Sequence, residues 1–506
     1  MTTPNILLIT GDHMRSDLIK ATDDGLRSAP LYPHVPTPHL DRLAAGGVSF
    51  CNCHALNPIC VPSRASITSG CYPHKCTGTK ENRGGLKPEM PRLAQHFRNH
   101  GYQTTAIGKL HYLPYMPPGE PRTLHGFGVA ELCEEGRVLA SYDPDGQQRG
   151  LEEYHDFLTD QGWGGYERSH GIGNNDIHPG TVPFPAELHE EAWVANRSIA
   201  AIDRHQEHFP DQPFFMWSSF TKPHPPYDPP APYDRLIDPR ALPAPLGSDQ
   251  SGIMDDRDPE LRIRDKRFGW DRFSPEMIQC ARARYGGLVN FQDEMIGRIM
   301  THLEEKGLLE NTIVVYTADH GDLLGDFGRF FKSSLLDSSV KVPLILHAPQ
   351  SEVEKGKRKQ LVGLHDLFPT LCGLSGISIP QGMDGENLTS MVKDVAVEGR
   401  EFIVSQCFDS PLQKYMIRSQ EWKYIYHESG ATEELYKVEG QDYELRNLVK
   451  DYPEVIAMFR AQLKAWCREN GDEMIFDEAG ELRSYEGDCP QLVPEFTIGE
   501  LGWRKY

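Results

Sequence analysis

Asn5-Ile6-Leu7-Leu8-Ile9-Thr10-Gly11-Asp12-His13 decides the fold. A short unbroken apolar run suits a strand buried on both faces, and this one breaks at a glycine straight into an acid and an imidazole. The same grammar recurs three times. Thr104–Ile107 (TTAI) runs into Gly108-Lys109-Leu110-His111, Phe214–Phe220 (FFMWSSF) into Thr221-Lys222-Pro223-His224, and Ile313–Thr317 (IVVYT) into Ala318-Asp319-His320-Gly321-Asp322. Leu344–His347 (LILH) is a fifth such run. Helical patterns fill the intervals at Thr37–Ala45, Pro91–Asn99, Glu190–Arg204 and Pro275–Lys306, several of them stopped by glycine. The alternation predicts an α/β fold: a doubly wound, mostly parallel sheet flanked by helices.

The texture changes after about residue 385. Glu401–Ser405, Lys414–Arg418 and Trp422–His427 have the look of antiparallel strands, and Pro453–Glu469 that of one amphipathic helix. The expected division is a catalytic α/β domain over 1–385 and a smaller α+β subdomain over 386–506 that completes the pocket rim. Residues 112–190 and 225–270, rich in Pro, Gly, Asp and aromatics, are expected as long loops around that rim.

Composition narrows the function. Among 506 residues, 52 Lys and Arg face 73 Asp and Glu, a net charge of −21. Such a chain is a poor partner for polyanions, which argues against nucleic-acid or anionic-membrane binding. Mean hydropathy is −0.51, and no apolar run approaches the ~18 residues of a membrane span. The start shows neither a basic n-region nor an apolar h-region, and the eleven Cys form no CxxC pair. The expectation is a cytoplasmic protein with mostly free thiols.

In open α/β sheets ligands bind beyond the carboxyl ends of the strands, so four strand endings rich in Asp, His and Lys point to one edge. Asp12, His13, Asp319 and His320 form a plausible metal set of two carboxylates and two imidazoles, although an Asp after a strand equally caps the next helix. In Asn57-Pro58-Ile59-Cys60-Val61-Pro62-Ser63-Arg64, Pro62 suits a first helical turn and Gly70 its end. Cys60 then sits at a helix N-terminus, where the dipole favours anions, with Arg64 one turn on. The alternative for Cys60 is a buried structural thiol.

Taken in order, these motifs resemble the type I sulfatases of the alkaline-phosphatase-like superfamily, over nearly the whole chain. Cys60-Val61-Pro62-Ser63-Arg64 is similar to the family's C-x-P-S-R signature, and Ser69-Gly70-Cys71-Tyr72-Pro73 continues it. Gly108-Lys109-Leu110-His111 resembles its G-K-x-H. Asp319-His320-Gly321-Asp322 followed by Lys332 resembles its metal loop and sulfate-binding Lys. The resemblance implies that Cys60 is oxidised to Cα-formylglycine by a formylglycine-generating enzyme, and that one divalent metal is held by Asp12, His13, residue 60, Asp319 and His320. Most sulfatases carry a second Asp at the position of His13 and an Asn at that of His320. His320 resembles the choline-sulfatase and phosphonate-monoester-hydrolase branch instead. The family metal is typically Ca²⁺, whereas two imidazoles favour Mn²⁺.

The implied reaction is hydrolysis of a sulfate monoester, of a small molecule or a carbohydrate. The hydrated aldehyde attacks sulfur in line, and its second hydroxyl later expels sulfate. Lys109, Lys332 and the metal stabilise the sulfuryl oxygens, Arg64 holds residue 60, His111 takes a proton, and His224 protonates the leaving oxygen. Asn82 either touches substrate or makes a surface turn. Trp163, Tyr166 and Trp193 either stack on the alcohol or simply pack, and His170, His178, His189, His205 and His208 are expected at the surface or rim. Two alternatives stand beside this: a phosphonate monoester or phosphodiester hydrolase on the same scaffold, and a metal- or anion-binding protein without turnover if Cys60 stays a thiol. The aromatic tail Phe496–Tyr506 is suited to pack on a second copy, giving a homo-oligomer, or on its own chain.

Overall fold

The structure is a computed structural model. It describes residues 3–486 apart from 27–29, 32, 83, 112–121, 136–148, 249–269, 350 and 441–442. The tail Phe496–Tyr506 and Cys489 lie outside the described residues.

Eight strands make the principal sheet: β1 Asn5–Gly11, β2 Val48–His54, β3 Gln103–Gly108, β4 Val129–Leu132, β5 Phe214–Ser219, β6 Thr312–Ala318, β7 Lys341–His347 and β8 Gly356–Gly363. Their spatial order is β4-β3-β5-β1-β6-β7-β2-β8. All pairs are parallel except those of β7, which runs antiparallel to both β6 and β2. The mostly parallel sheet is as expected, and the LILH run is its exception. A continuous apolar run reports burial on both faces and carries no information about strand direction.

β1, β5 and β6 are buried at every residue, which accounts for their unbroken apolar sequence. They lie side by side with β3, in the order β3-β5-β1-β6. Their carboxyl ends share one edge, and the four strand endings singled out from sequence therefore meet. Helices Glu190–His208 and Pro275–Glu305 pack against each other and flank the sheet. The described strands that sequence did not reveal are β2, β4, β8 and a fourth strand of the smaller sheet.

That smaller sheet is antiparallel, of β9 Ile403–Cys407, β10 Lys414–Arg418, β11 Trp422–His427 and β12 Thr432–Lys437, in the order β12-β11-β10-β9. Helix Pro453–Asn470 covers it with Ile456, Phe459, Leu463, Trp466 and Cys467, an apolar stripe at helical spacing. Two hydrophobic clusters follow this division, one around each sheet. Lys80 links the two. Its buried ammonium reaches Asp472 Oδ1 at 3.1 Å and Gln413 Oε1 at 3.3 Å.

Candidate active site

The helix Cys60–Ser69 follows β2 and is buried at all ten residues. It can be buried all round because its polar members are short or bonded: Thr68 and Ser69 donate to carbonyls four residues back, at 2.9 and 2.8 Å. It ends at Gly70, whose φ of 70° suits glycine, with Met383 Sδ only 2.7 Å from where a Cβ would lie. At its start no side chain of the preceding residue caps the helix. Asn82 does so from outside, its Oδ1 accepting the Val61 N–H at 3.1 Å. Asn82 itself is exposed.

This helix delivers Cys60 to the β1–β6 edge. Cys60 Sγ lies 3.8 Å from Asp12 Oδ1, 3.3 Å from His320 Nε2 and 2.7 Å from Lys332 Nζ. One turn on, Arg64 is fully buried. Its Nε donates to Asp319 Oδ2 at 2.9 Å, and its Nη1 to the Lys109 carbonyl at 2.7 Å and to Ser219 Oγ at 2.8 Å. A chain of strand side chains anchors that end, with Trp217 Nε1 donating to Thr10 Oγ1 and Thr10 Oγ1 donating to Ser219 Oγ. Arg64 Nη2 makes no hydrogen bond and lies 3.6 Å from Asp12 Oδ2.

A ligand atom from each of Asp12, His13, Cys60 and His320 falls within 4.8 Å of all the others, and all four residues are buried. Both imidazoles are held by their other nitrogen. His13 Nδ1 bonds Asp322 Oδ2 at 2.8 Å, and His320 Nδ1 bonds the Gly321 carbonyl at 2.9 Å. A carbonyl only accepts, so His320 carries its proton on Nδ1 and turns the Nε2 lone pair to the centre. His13 Nε2 accepts from the Lys332 ammonium at 2.8 Å. The Lys332 cation thus bridges His13 and Cys60 where the donors converge. Carboxylate, two imidazoles and residue 60 suit a divalent metal. Asp319 stands just behind this group: its Oδ1 accepts the His320 N–H at 2.9 Å and lies 3.7 Å from His320 Nε2. His13 adopts φ 67° and His111 φ 52°, left-handed backbone that β-carbon residues rarely take and that clusters at functional sites.

Charge shapes this centre. Burial opposes ionisation of Asp12, but Lys109 foremost, then Arg64 and Lys332, hold its carboxyl well below the usual range. Burial and Asp12 push the Cys60 thiol up; Lys332 and His320 outweigh them, and it ends below an ordinary thiol. Burial lowers His320 while Asp319 and Cys60 raise it, for a net rise. Burial and then Lys109 hold His224 well below the ordinary imidazole value.

Lys109 contacts Asp12 Oδ2 by its ammonium and Glu135 Oε2 at 3.2 Å. Gly108 before it has φ 95°, and a Cβ there would lie 2.0 Å from the Ser219 carbonyl, so only glycine lets β3 and β5 close here. Glu134 Oε1 accepts the N–H groups of both Leu110 and His111, at 2.8 and 2.9 Å, and so fixes the turn that carries His111. His224 packs edge-on against His13 with ring centroids 4.5 Å apart, and its Nδ1 bonds the Pro225 carbonyl at 2.7 Å. Lys222, by contrast, turns away to Glu190 and Asp228. Asp322 orients His13, and Asp326 receives Arg15 at 3.0 Å.

Some expectations need correcting. His189 and His205 are buried rather than at a surface or rim: His189 accepts the Glu191 N–H at its helix start, and His205 packs on Phe214. For Trp193, a core residue against Tyr154, and Trp163, which lies against Phe184, the packing alternative is the one the structure shows. Sequence reasoning also missed Glu134 and Glu135. They follow β4, a fifth strand that ends in acids at this edge. Its four residues, one of them the exposed Val129, gave no strand pattern.

A cysteine at a helix N-terminus, a metal-type donor set and a group of cations, all at the carboxyl edge of a parallel sheet, suit hydrolysis of tetrahedral anionic esters. The sulfatase family model matches residues 4–377, and the chain belongs to the sulfatase family. By that membership it is a sulfuric-ester hydrolase. A further model, described as N-sulphoglucosamine sulphohydrolase, C-terminal, matches residues 325–469. The chain is 29% identical to an arylsulfatase of Clostridium perfringens (strain 13 / Type A), covering 90% of this chain and 93% of that one. It is 28% identical to a choline-sulfatase of Rhizobium meliloti (strain 1021), covering 89% and 84%. The fold is shared with a phosphonate monoester hydrolase of Agrobacterium radiobacter, at a TM-score of 0.77 and 23% identity over 92% of this chain and 96% of that one. No helix among the described residues is long and apolar enough to cross a membrane.

Proposed function

We propose that the chain hydrolyses a sulfate monoester through a formylglycine made from Cys60, with one divalent ion held by Asp12, His13, residue 60, Asp319 and His320. The observation that carries this is the meeting of Cys60, Asp12, His13 and His320 within one buried 4.8 Å group. The ion supplies Lewis-acid stabilisation and a lowered hydroxyl pKa at residue 60. Two imidazoles in the donor set favour Mn²⁺ over Ca²⁺.

The protein's own groups divide the remaining work. Arg64, anchored through two nitrogens to three partners, keeps a spare Nη2 3.6 Å from Asp12 Oδ2 and holds the hydrated aldehyde. Lys109 and Lys332 approach the centre from different loops and stabilise charge on the sulfuryl oxygens as the ester bond breaks. His111 takes the proton of the second hydroxyl. His224 gives a proton from Nε2 to the leaving oxygen. In the free site its lowered pKa keeps it neutral, so the ester's own negative charge has to raise it first. Asn82 acts by fixing the start of the nucleophile helix, and from that position it is assigned to substrate contact.

Maturation requires a formylglycine-generating enzyme. A cytoplasmic location fits the ten described cysteines, all free. The domain division proposed is 1–385 and 386–506, in line with the two sheets. Hydrolysis of phosphonate monoesters or phosphodiesters is the second reading. His320 and the shared fold favour it, whereas Lys109 and His111 favour sulfate. Mass analysis of the Cys60 peptide from the native host, followed by matched aryl sulfate and phosphonate esters, tests both. An aldehyde or its hydrate at residue 60 and a dominant sulfate rate are expected. A fully alkylatable Cys60 points to metal or anion binding without turnover, and a dominant phosphonate rate to the second reading.

A further inference from the structure

Glu135 adds a carboxylate, beyond the one of the donor set at Asp12, to the cations that gather at this edge. Its side chain is wholly buried, with Oε2 3.2 Å from Lys109 Nζ and Oε1 3.5 Å from His224 Nδ1. Lys109 and His224 are the groups that face the transferred centre and the leaving oxygen. On its other side Glu135 lines a cavity of about 190 Å³, where the carboxylates of Glu152, Glu167, Glu190 and Asp228 outnumber the one arginine, Arg168. A site built only to attract anions has no use for a carboxylate at this place, because it weakens the positive field that binds every anionic ester. It does, however, distinguish between them. A sulfate monoester and a phosphonate monoester each bring one negative charge, whereas a phosphate monoester brings close to two above its second ionisation near pH 6.

We propose that Glu135 is a charge-selecting residue, which admits esters whose transferred group carries one negative charge, and whose alcohol carries none, and disfavours dianionic phosphate monoesters. Acting through Lys109 and His224, it trims the field to match one charge, and the acidic cavity beyond it repels an anionic alcohol. One extra unit charge about 6 Å from a carboxylate, at an effective dielectric of about 20, is worth on the order of 100-fold in rate or binding. The inference rests on the proposed ester hydrolysis but not on sulfate being the preferred centre.

The test compares kcat/KM of the wild type, Glu135→Gln and Glu135→Asp, each with conversion of Cys60 checked by mass. The substrates are 4-nitrophenyl sulfate, 4-nitrophenyl phosphate, a 4-nitrophenyl phosphonate and a carboxylated nitrophenyl sulfate, at about pH 8. Glu135→Gln is expected to raise the phosphate-to-sulfate ratio roughly 10- to 100-fold and to raise the carboxylated sulfate relative to the plain one. The phosphonate-to-sulfate ratio should move less than about threefold, since both carry one charge. Glu135→Asp should keep the wild-type ratios. Equal losses on all four esters, or a phosphate-to-sulfate ratio that does not move, overturn the proposal. If neither variant folds, the wild type alone decides. Its phosphate-to-sulfate ratio should climb as the pH falls from about 8 to about 5 and the phosphate ester takes up a proton; a flat ratio overturns the idea. A wild type that prefers phosphonate defeats the sulfatase reading, yet leaves the phosphate-to-phosphonate ratio to score Glu135.

Discussion

Two buried ion clusters in this molecule use nearly the same residue types for opposite ends. One surrounds Asp12 and Lys109 at the edge of the large sheet. The other surrounds Asp337 where the two sheets meet: Lys423 bridges Asp337 Oδ1 at 2.8 Å and Glu444 Oε1 at 2.6 Å, Arg418 reaches Asp337 Oδ2 at 3.4 Å, and Tyr443 donates to the same oxygen at 3.0 Å. Arg418 also reaches back to His54 and Asn52 of β2, which ties the small sheet to the large one. Around Asp337 each charge answers another within the protein. Each cluster holds an arginine nitrogen without a hydrogen bond, Arg64 Nη2 and Arg418 Nε, but around Asp12 the Lys332 ammonium is met by His13 Nε2 and Cys60 Sγ, neither of them a carboxylate, and is only half buried. Buried charge that is internally matched holds a structure together. Buried charge left partly unmatched is held ready for a ligand.

The contrast breaks most readily at Cys60. Cys60→Ala should abolish turnover, by at least about 10⁴-fold in kcat, as removal of a nucleophile does elsewhere. Its melting temperature should stay close to that of the wild type, because Lys332 loses Cys60 but keeps His13 as a partner. Steady-state kinetics beside a thermal scan checks this. A large drop in melting temperature together with retained activity would assign Cys60 to structure and reverse the roles of the two clusters.

Next is Lys423→Met. It leaves Asp337 and Glu444 buried with one cation fewer, which typically costs about 3–5 kcal/mol of folding stability. Activity per folded molecule should remain within about twofold, since the change stands apart from the reacting groups. Denaturant unfolding with kinetics on the surviving folded fraction reads both numbers. A selective loss of kcat without loss of stability would show that the Asp337 cluster serves the active site.

The large sheet was legible because β1, β3, β5 and β6 are apolar runs that end in ionisable residues. Burial on both faces leaves that mark in any sequence. The rest was hidden for physical reasons. β8, Gly356–Gly363, is an edge strand whose first half puts Lys357 and Lys359 on an exposed side around a buried Arg358; charged edges are how sheets avoid pairing with other chains, and they read as loop. β2 carries Asn52 and His54, polar residues whose side chains reach partners far away in sequence, Lys359 and Arg418. β12 is partly exposed, so Leu435 and Tyr436 gave too short a pattern to mark a strand. At the site, Asp12, Cys60, Arg64, Lys109, His224, His320 and Lys332 were all nameable beforehand, since each follows a readable strand or lies in a readable motif. Glu135 was not, because the strand before it was not.

Within the Asp337 cluster, acid should act with two signs. Burial opposes ionisation of Asp337, but Lys423, Arg418 and Lys341 bring its pKa well below the ordinary value. A carboxylate with a depressed folded-state pKa contributes stability that is fully present above its unfolded value, about 3.9, and is lost as the pH falls from there towards the folded value. Glu444 is shifted the other way, raised mainly by burial. Its contribution is fully present below about 4.3 and declines as the pH rises towards its folded value. Unfolding free energy of the wild type should therefore drop steeply below about pH 4, and Asp337→Asn should flatten that acid limb while leaving the limb near neutrality in place. Chemical denaturation at a series of pH values measures it, and an unchanged acid limb in the variant would remove Asp337 as its cause.

The smallest effect belongs to a pair with the same chemistry but no burial. Arg42 meets Glu304 across two helices, with 58% and 39% of their side chains exposed. Water solvates both ions whether or not they touch, salt screens what attraction remains, and two long side chains lose rotamer freedom in meeting. Arg42→Ala should shift the melting temperature by no more than about 2 °C, and this small shift should vanish at about 0.5 M salt. A shift as large as that of Lys423→Met would mean that contact, rather than burial, sets the worth of an ion pair here, and the distinction between the two internal clusters would lose its physical basis.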